Sequence, residues 1–256
     1  MTLTKKLSPI ALATSLAIGS SVIAPAAMAV EGLSGNITVT NNYIWRGLTQ
    51  TSNETAFQGG IDYELANGFY VGTWLSNVSY DLDDGQTDPF SYENDLYFGY
   101  SGEFGNGVGY DVGYLYYNYD GAANFDFGEI YGSISISGFS LSLNVLANTE
   151  ANEEPGQDFG FGEATYVSLD YALGLSEDLE LIFHVGNHQG DFSNAFNAAG
   201  DNYNDYSVTL AKGPFAFTAS GTDVDENDPE AEFATDPAIA NQDIRFVVSY
   251  SLDIDL

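Results

Sequence analysis

Apolar and polar residues alternate with a period of two along most of this chain. In 33–46, Ile37, Val39, Tyr43 and Trp45 share one face, and Asn36, Thr38, Thr40, Asn42 and Arg46 share the other. Such alternation predicts a strand with one apolar and one polar side. It recurs at 57–65, 92–101, 108–117, 139–147, 165–173 and 179–188. It also closes the sequence, where Phe246, Val248, Tyr250, Leu252, Ile254 and Leu256 have one parity. Weaker copies lie at 69–80, 129–137, 205–212 and 215–222. Together they give about 12 strands, most of the length a tilted membrane strand needs. Helical periodicity is absent.

The connections alternate in length. Short turns are expected at "LANGF", "GEFGNG", "SGF", "GLSEDL" and "KGP", and long polar loops at 47–56, 81–91, 118–127, 148–162, 189–204 and 223–242. Short turns on one side and long loops on the other predict an all-β, antiparallel, up-and-down transmembrane β-barrel. A soluble β-sandwich also alternates, but Greek-key connections would break the loop pattern.

Composition sharpens this picture. The chain has 37 acidic residues, five Lys plus Arg and a net charge of −32, which excludes a nucleic-acid partner because phosphate binding needs many cations. It has no cysteine, so a closed sheet or a large core must supply stability. Eighteen Tyr, 17 Phe and 28 Gly fit barrel strands with aromatic girdles. The first 29 residues read as a signal peptide: basic "MTLTKK", an apolar stretch, then Ala-Met-Ala ending at Ala29. Cleavage there leaves 30–256 as one barrel domain, with Arg46, Lys212 and Arg245 as its basic residues. The expected location is the bacterial outer membrane, with outer-membrane lipid, lipopolysaccharide and the barrel-assembly machinery as partners.

Parity assigns candidate residues. Arg46, Arg245, Asp62, Glu64, Glu93, Asp95, Asp111, Glu129, Asp170 and Glu180 face the lumen and are candidate pore-lining groups, as are Asp205, Asp243, Asp253 and Asp255. Acidic rings favour cations. Arg46 and Arg245 are expected on neighbouring strands, the first and the last, as a basic spot in an acidic pore or as structural forks on wall carboxylates. Tyr43, Trp45, Tyr63, Phe69, Tyr100, Tyr110, Phe139, Tyr171 and Phe215 are expected at the lipid interface. His184 and His188 share the lumen face, too far apart along one strand to ligate one metal. The loop "DVDENDPEAEFATD" departs from the EF-hand template at its sixth and twelfth positions. No catalytic motif is present, and neither an enzymatic activity nor a cofactor or metal is expected.

The stretch "NNYIWRGLTQT" at 41–51, with "GTWLSNV" at 72–78 and the closing "DIRFVVSYSLDIDL", resembles the TorF-type porin family. Its matching core is Asn42, Tyr43, Trp45, Arg46, Gly47, Thr49 and Gln50. The resemblance implies an outer-membrane channel and supplies no substrate. One departure is the final Leu256, where outer-membrane barrels usually carry an aromatic residue. Three functions remain open at this point: a channel passing small solutes with a cation preference, a non-conducting structural or surface-binding barrel, and a soluble exported ligand-binding sandwich. The oligomeric state is not encoded in these patterns.

Overall fold

The structure, a computed structural model, describes residues 30–79, 91–105, 107–120, 125–192, 202–224 and 244–256. The expected leader 1–29, Asp243 and most of the expected loops at 81–91 and 223–242 lie outside the described residues. The chain forms a closed antiparallel barrel of twelve strands: β1 (Leu33–Thr40), β4 (Ala56–Glu64), β5 (Phe69–Asn77), β6 (Tyr92–Phe104), β7 (Val108–Tyr119), β8 (Phe127–Ile136), β9 (Phe139–Thr149), β10 (Thr165–Ser176), β11 (Leu179–Gln189), β12 (Asn202–Lys212), β13 (Phe215–Thr222) and β14 (Arg245–Asp255). Two short strands, β2 (Ile44–Trp45) and β3 (Leu48–Thr49), pair with each other and not with the barrel. The wall closes where β1 meets β14, with Ile37 opposite Leu252 and Val39 opposite Tyr250.

Alternation turns one parity of each strand outward. Phe57, Leu96, Phe98, Leu143, Val185 and Phe246 are among the large apolar side chains on the exterior. A closed sheet leaves no unpaired edge, so an apolar outer band can face hydrocarbon without stranding backbone polar groups. At the short-turn end, aromatic side chains meet across strands: Phe69 with Tyr100 at 4.8 Å, Tyr100 with Tyr110 at 5.9 Å, Phe139 with Tyr171 at 4.3 Å and Phe215 with Tyr250 at 5.0 Å between ring centroids. Tyr63 is also exposed at this end.

Tyrosine has a second use. Tyr97 lies over Gly72, Tyr70 over Gly99 and Tyr131 over Gly113, each pair directly opposite in its ladder. The missing side chain makes room for a ring on the inner wall, which covers the glycine backbone. Part of the Tyr and Gly content therefore lines the interior, and the girdle accounts only for the rest.

The first strand differs from expectation. The alternation at 33–46 predicts one continuous strand, but β1 ends at Thr40. Asn41 keeps one backbone bond, its N–H donating to the Val248 carbonyl at 3.2 Å, and its side chain makes the rest. Its Oδ1 accepts from the Val248 N–H at 2.6 Å, and its Nδ2 donates to the Phe246 carbonyl at 3.2 Å. Asn side chains compete with backbone pairing in this way. The backbone leaves the wall and turns into the barrel, taking residues 42–51 with it. The buried core of the molecule is built around this segment, inside the long-loop half of the barrel.

Candidate functional site

The inserted segment is a β-hairpin with Arg46 and Gly47 as its two-residue turn, between the paired Trp45 and Leu48. Their φ values of 46° and 81° both lie in the left-handed region, as a type I′ turn requires. Gly47 has a second reason to be glycine. A Cβ there would stand 2.5 Å from Thr222 Cγ2 and 2.6 Å from Asp205 Cβ. The hairpin base is tied by its own polar residues. Asn42 Nδ2 donates to Asn53 Oδ1 at 2.8 Å, and Thr49 Oγ1 donates to Asn42 Oδ1 at 2.6 Å. The Tyr43 N–H donates to Thr51 Oγ1 at 3.1 Å. The Gln50 N–H donates to the Tyr43 carbonyl at 2.7 Å, and the Ser79 N–H to the Gln50 carbonyl at 2.9 Å.

The hairpin reaches the wall nearly all the way round. Tyr43 packs edge-on against Trp74 of β5 and donates its hydroxyl to Glu93 of β6 at 2.9 Å. Trp45 packs edge-on against Tyr117 of β7, Phe127 of β8 and His188 of β11. Gly47 rests on β12 and β13 through Asp205 and Thr222, and its carbonyl lies 3.5 Å from Nη1 of Arg245 at the start of β14. Phe127, Phe159 and Phe192 continue the apolar packing toward the long loops. The hairpin enters between β1 and β4 and ends against β8, on the far side of the ring.

Arg46 is the centre of this contact. Its Nη2 lies 2.5 Å from Glu129 Oε2 of β8, and both side chains are almost wholly buried, at 1% and 5% exposure. Glu129 also accepts from Asn144 Nδ2 at 3.1 Å and from the Tyr117 hydroxyl at 3.4 Å. The guanidinium carbon sits 4.2 Å from the Trp45 ring centroid and 4.3 Å from that of Tyr166. His188 Nε2 is 3.4 Å from Nη1. A guanidinium lying over two aromatic rings and paired with a buried carboxylate is a strong arrangement.

The other candidates fall into separate groups. Glu93 and Asp95 lie in the same buried region, Glu93 bonded to Tyr43 and to the Tyr119 hydroxyl at 2.7 Å. Nearer the short turns, Tyr97 donates to Asp62 at 2.5 Å and Tyr70 to Asp111 at 2.7 Å, with the Tyr70 and Tyr131 hydroxyls in contact. Asp170 contacts His184 Nδ1 at 2.7 Å, and Asp205 contacts His184 Nε2 at 2.9 Å. Glu64 ends β4 and Glu180 is the second residue of β11, both beside short turns and away from the hairpin. Tyr63, Phe69, Tyr100, Tyr110, Phe139, Tyr171 and Phe215 lie on the exterior.

Two expectations are corrected. Tyr43 and Trp45 are not at the lipid interface; they are buried inside the barrel at 4% and 3% exposure, because the chain leaves the wall at Asn41. Arg46 and Arg245 are not on adjacent strands: Arg46 is at the hairpin tip, and Arg245 meets that tip from β14. Sequence parity did not single out Tyr166 as a partner of Arg46, or Tyr117 and Asn144 as partners of Glu129, since nothing in a period of two says which strands face each other across a lumen.

A closed barrel with an apolar exterior, a polar interior and a loop hairpin folded into it defines a porin-like barrel. The chain belongs to the family described as "Bacterial protein of unknown function (Gcw_chp)", matched over residues 24–250. No curated protein matches it by sequence. Among solved structures it is similar to the KdgM porin, with a TM-score of 0.50 and 8% identity over 87% of this chain and 99% of that one. It is similar to the NanC porin at the same TM-score, with 7% identity over 88% of this chain and 98% of that one. At these identities the likeness concerns the fold.

Proposed function

We propose that this protein is an outer-membrane channel for small solutes whose path is closed at rest by the 41–55 hairpin. The open path would be lined by carboxylates and tyrosines, giving it a cation preference. The observation that carries this reading is the construction of the obstruction. The barrel is complete without the hairpin, since Thr40 and Ala56 are already paired across β1 and β4. The closure is therefore an insertion between two finished strands, separable from the wall. The acidic residues Asp62, Glu93, Asp95, Asp111, Glu129, Asp170 and Asp205 on the inner wall support cation preference, because rings of carboxylates attract cations. The apolar exterior, the Ala29 cleavage pattern and the resemblance to TorF-type porins support export to the outer membrane, with lipid, lipopolysaccharide and the assembly machinery as partners.

A second reading has its own observation. The hairpin is packed and hydrogen-bonded on nearly every side, as a permanent plug in a non-conducting barrel would be. One experiment separates the two. Wild-type protein and a variant with 41–55 replaced by a short Asn-Gly turn are compared in planar bilayers. The channel reading expects intermittent wild-type openings and a steady, cation-selective current through the excised barrel, its selectivity fading near 1 M salt as the Debye length falls to about 3 Å. A silent wild type with a conducting excised barrel supports the plug. An excised barrel that is silent or anion-selective refutes the channel.

A further inference from the structure

The wall beneath the hairpin has the chemistry of a receptor, and Arg46 occupies it. Remove the hairpin, and what remains is the Glu129 carboxylate, oriented by Asn144 and Tyr117, with the ring of Tyr166 beside it and His188 at the edge. Two buried polar atoms show that Arg46 does not exhaust this site. Its own Nε–H has no hydrogen-bond partner among the described residues, and neither does Asp95 Oδ1. Asp95 stands opposite Tyr117 in the β6–β7 ladder, and the Tyr117 hydroxyl reaches Glu129, so the unpartnered carboxylate oxygen belongs to the same stretch of wall. A tethered arginine cannot turn freely to serve its five donors; an untethered cation can.

We propose that this wall patch binds a solute bearing a guanidinium or similarly flat organic cation, and that Arg46 is an internal stand-in for it. Such a solute would be the substrate class of the proposed channel, and binding itself does not depend on the channel reading; only the events after binding do. An incoming guanidinium takes the Glu129 carboxylate and the Tyr166 face, the hairpin loses its main anchor, and closure and recognition compete for one site. Sodium or another compact, strongly hydrated cation would gain little from an aromatic face in a dry site.

Arg46→Asn suits the test, because Asn-Gly is a favoured type I′ pair and the turn survives while the guanidinium goes. The probe is methylguanidinium, titrated into refolded protein in detergent and followed by calorimetry and tryptophan emission. The sequence has two tryptophans, Trp45 and Trp74, and both touch the hairpin or its footing. Saturable binding is expected in Arg46→Asn, at least about tenfold weaker in wild type, where Arg46 competes, and absent in Arg46→Asn/Glu129→Gln. Methylammonium should bind at least about tenfold more weakly than methylguanidinium. No saturable binding to Arg46→Asn, or equal binding when Glu129 is also changed, overturns the proposal. Should Arg46→Asn fail to fold, the hairpin-excised barrel presents the same patch, and the same dependence on Glu129 is required of it. Binding is read without current. A barrel that binds methylguanidinium and never conducts refutes the channel and leaves the receptor; a conducting excised barrel indifferent to methylguanidinium does the reverse.

Discussion

Arg46→Asn and Glu129→Gln, made singly and together, would measure what holds the hairpin in the barrel. The two side chains meet at 2.5 Å with almost no exposure. Removing either leaves the other as an uncompensated buried charge, which costs about 3–5 kcal/mol. Arg46→Asn also loses two cation–π contacts, worth about 1–2 kcal/mol in a dry site. It regains part of this, because a non-glycine residue in the left-handed region costs about 1–2 kcal/mol and Asn tolerates that region best. Each single change should therefore weaken docking by about 3 kcal/mol, whereas the double variant, with no orphaned charge, should lose clearly less than the two singles added. Hydrogen exchange reads this locally. The Gln50 amide, bonded to the Tyr43 carbonyl, and the Ser79 amide, bonded to the Gln50 carbonyl, report on the hairpin. Amides in β9 serve as the reference wall. At about 1.4 kcal/mol per tenfold, protection of Gln50 should fall by roughly two orders of magnitude in each single variant while β9 is unchanged. Unchanged protection in the singles, or a double variant that loses the full sum of both, would show that this pair is not the anchor.

Three further outcomes are expected. Gly47→Val should expel the hairpin, because its Cβ would collide with Thr222 and Asp205; acrylamide should then quench tryptophan emission more strongly, and unaltered quenching would contradict the packing. Leu143→Arg, on the exterior in mid-strand, should lower the unfolding free energy in lipid vesicles by about 2–4 kcal/mol, and no loss there would place that face away from hydrocarbon. Asp120, just beyond β7, is partly buried, which raises its carboxyl pKa, but the N–H groups of Tyr92 and Ser91 and the Ser91 hydroxyl outweigh burial and hold it below the ordinary aspartate value. A depressed native value means that its clasp on β6 is intact above the unfolded pKa of about 3.9 and fails as pH falls through the lower native value. The Ser91 and Tyr92 amide shifts should titrate with a midpoint under about 3.9, and a midpoint above that would reverse the sign.

The wall was legible because a barrel strand has one apolar face, and Phe57, Leu143 and Phe246 belong to the apolar parity of their strands. The alternation of turns and loops added the up-and-down order. The hairpin was not legible, since Tyr43 and Trp45 continue the parity of Ile37 and Val39, with Asn41 the one polar residue between them. Period two is common to a strand against lipid and to one inside a lumen, so the pattern is silent on which surface covers it. Two local signals were available. Asn41 and Asn42 interrupt the pairing potential of the strand, and Ile44-Trp45-Arg46-Gly47-Leu48-Thr49 places a glycine at the second position of a two-residue turn, between residues able to pair. The abundance of Tyr concealed a similar ambiguity. Tyr100 and Tyr171 are on the exterior, while Tyr70 and Tyr131 cover glycines inside, and composition cannot apportion them. The meeting of Arg46 with Glu129, 83 residues apart, depends on barrel closure and has no one-dimensional trace.

That distance in sequence also sets the order in which the molecule can be assembled. The seat for the hairpin is shared among strands from β5 to β14, and the last of its parts, Arg245, lies 198 residues beyond Gly47. Contacts so remote form only after the intervening chain has been arranged, which is the slowest kind of step in folding. Residues 41–55 are among the first of the barrel to be synthesised, yet their partners on β7, β8, β11 and β14 all lie later in the chain. The full set of hairpin contacts therefore requires the last strand to be in place. Trp45 meets β7, β8 and β11 and Gly47 meets β14, so the hairpin tip ties the middle of the chain to its end.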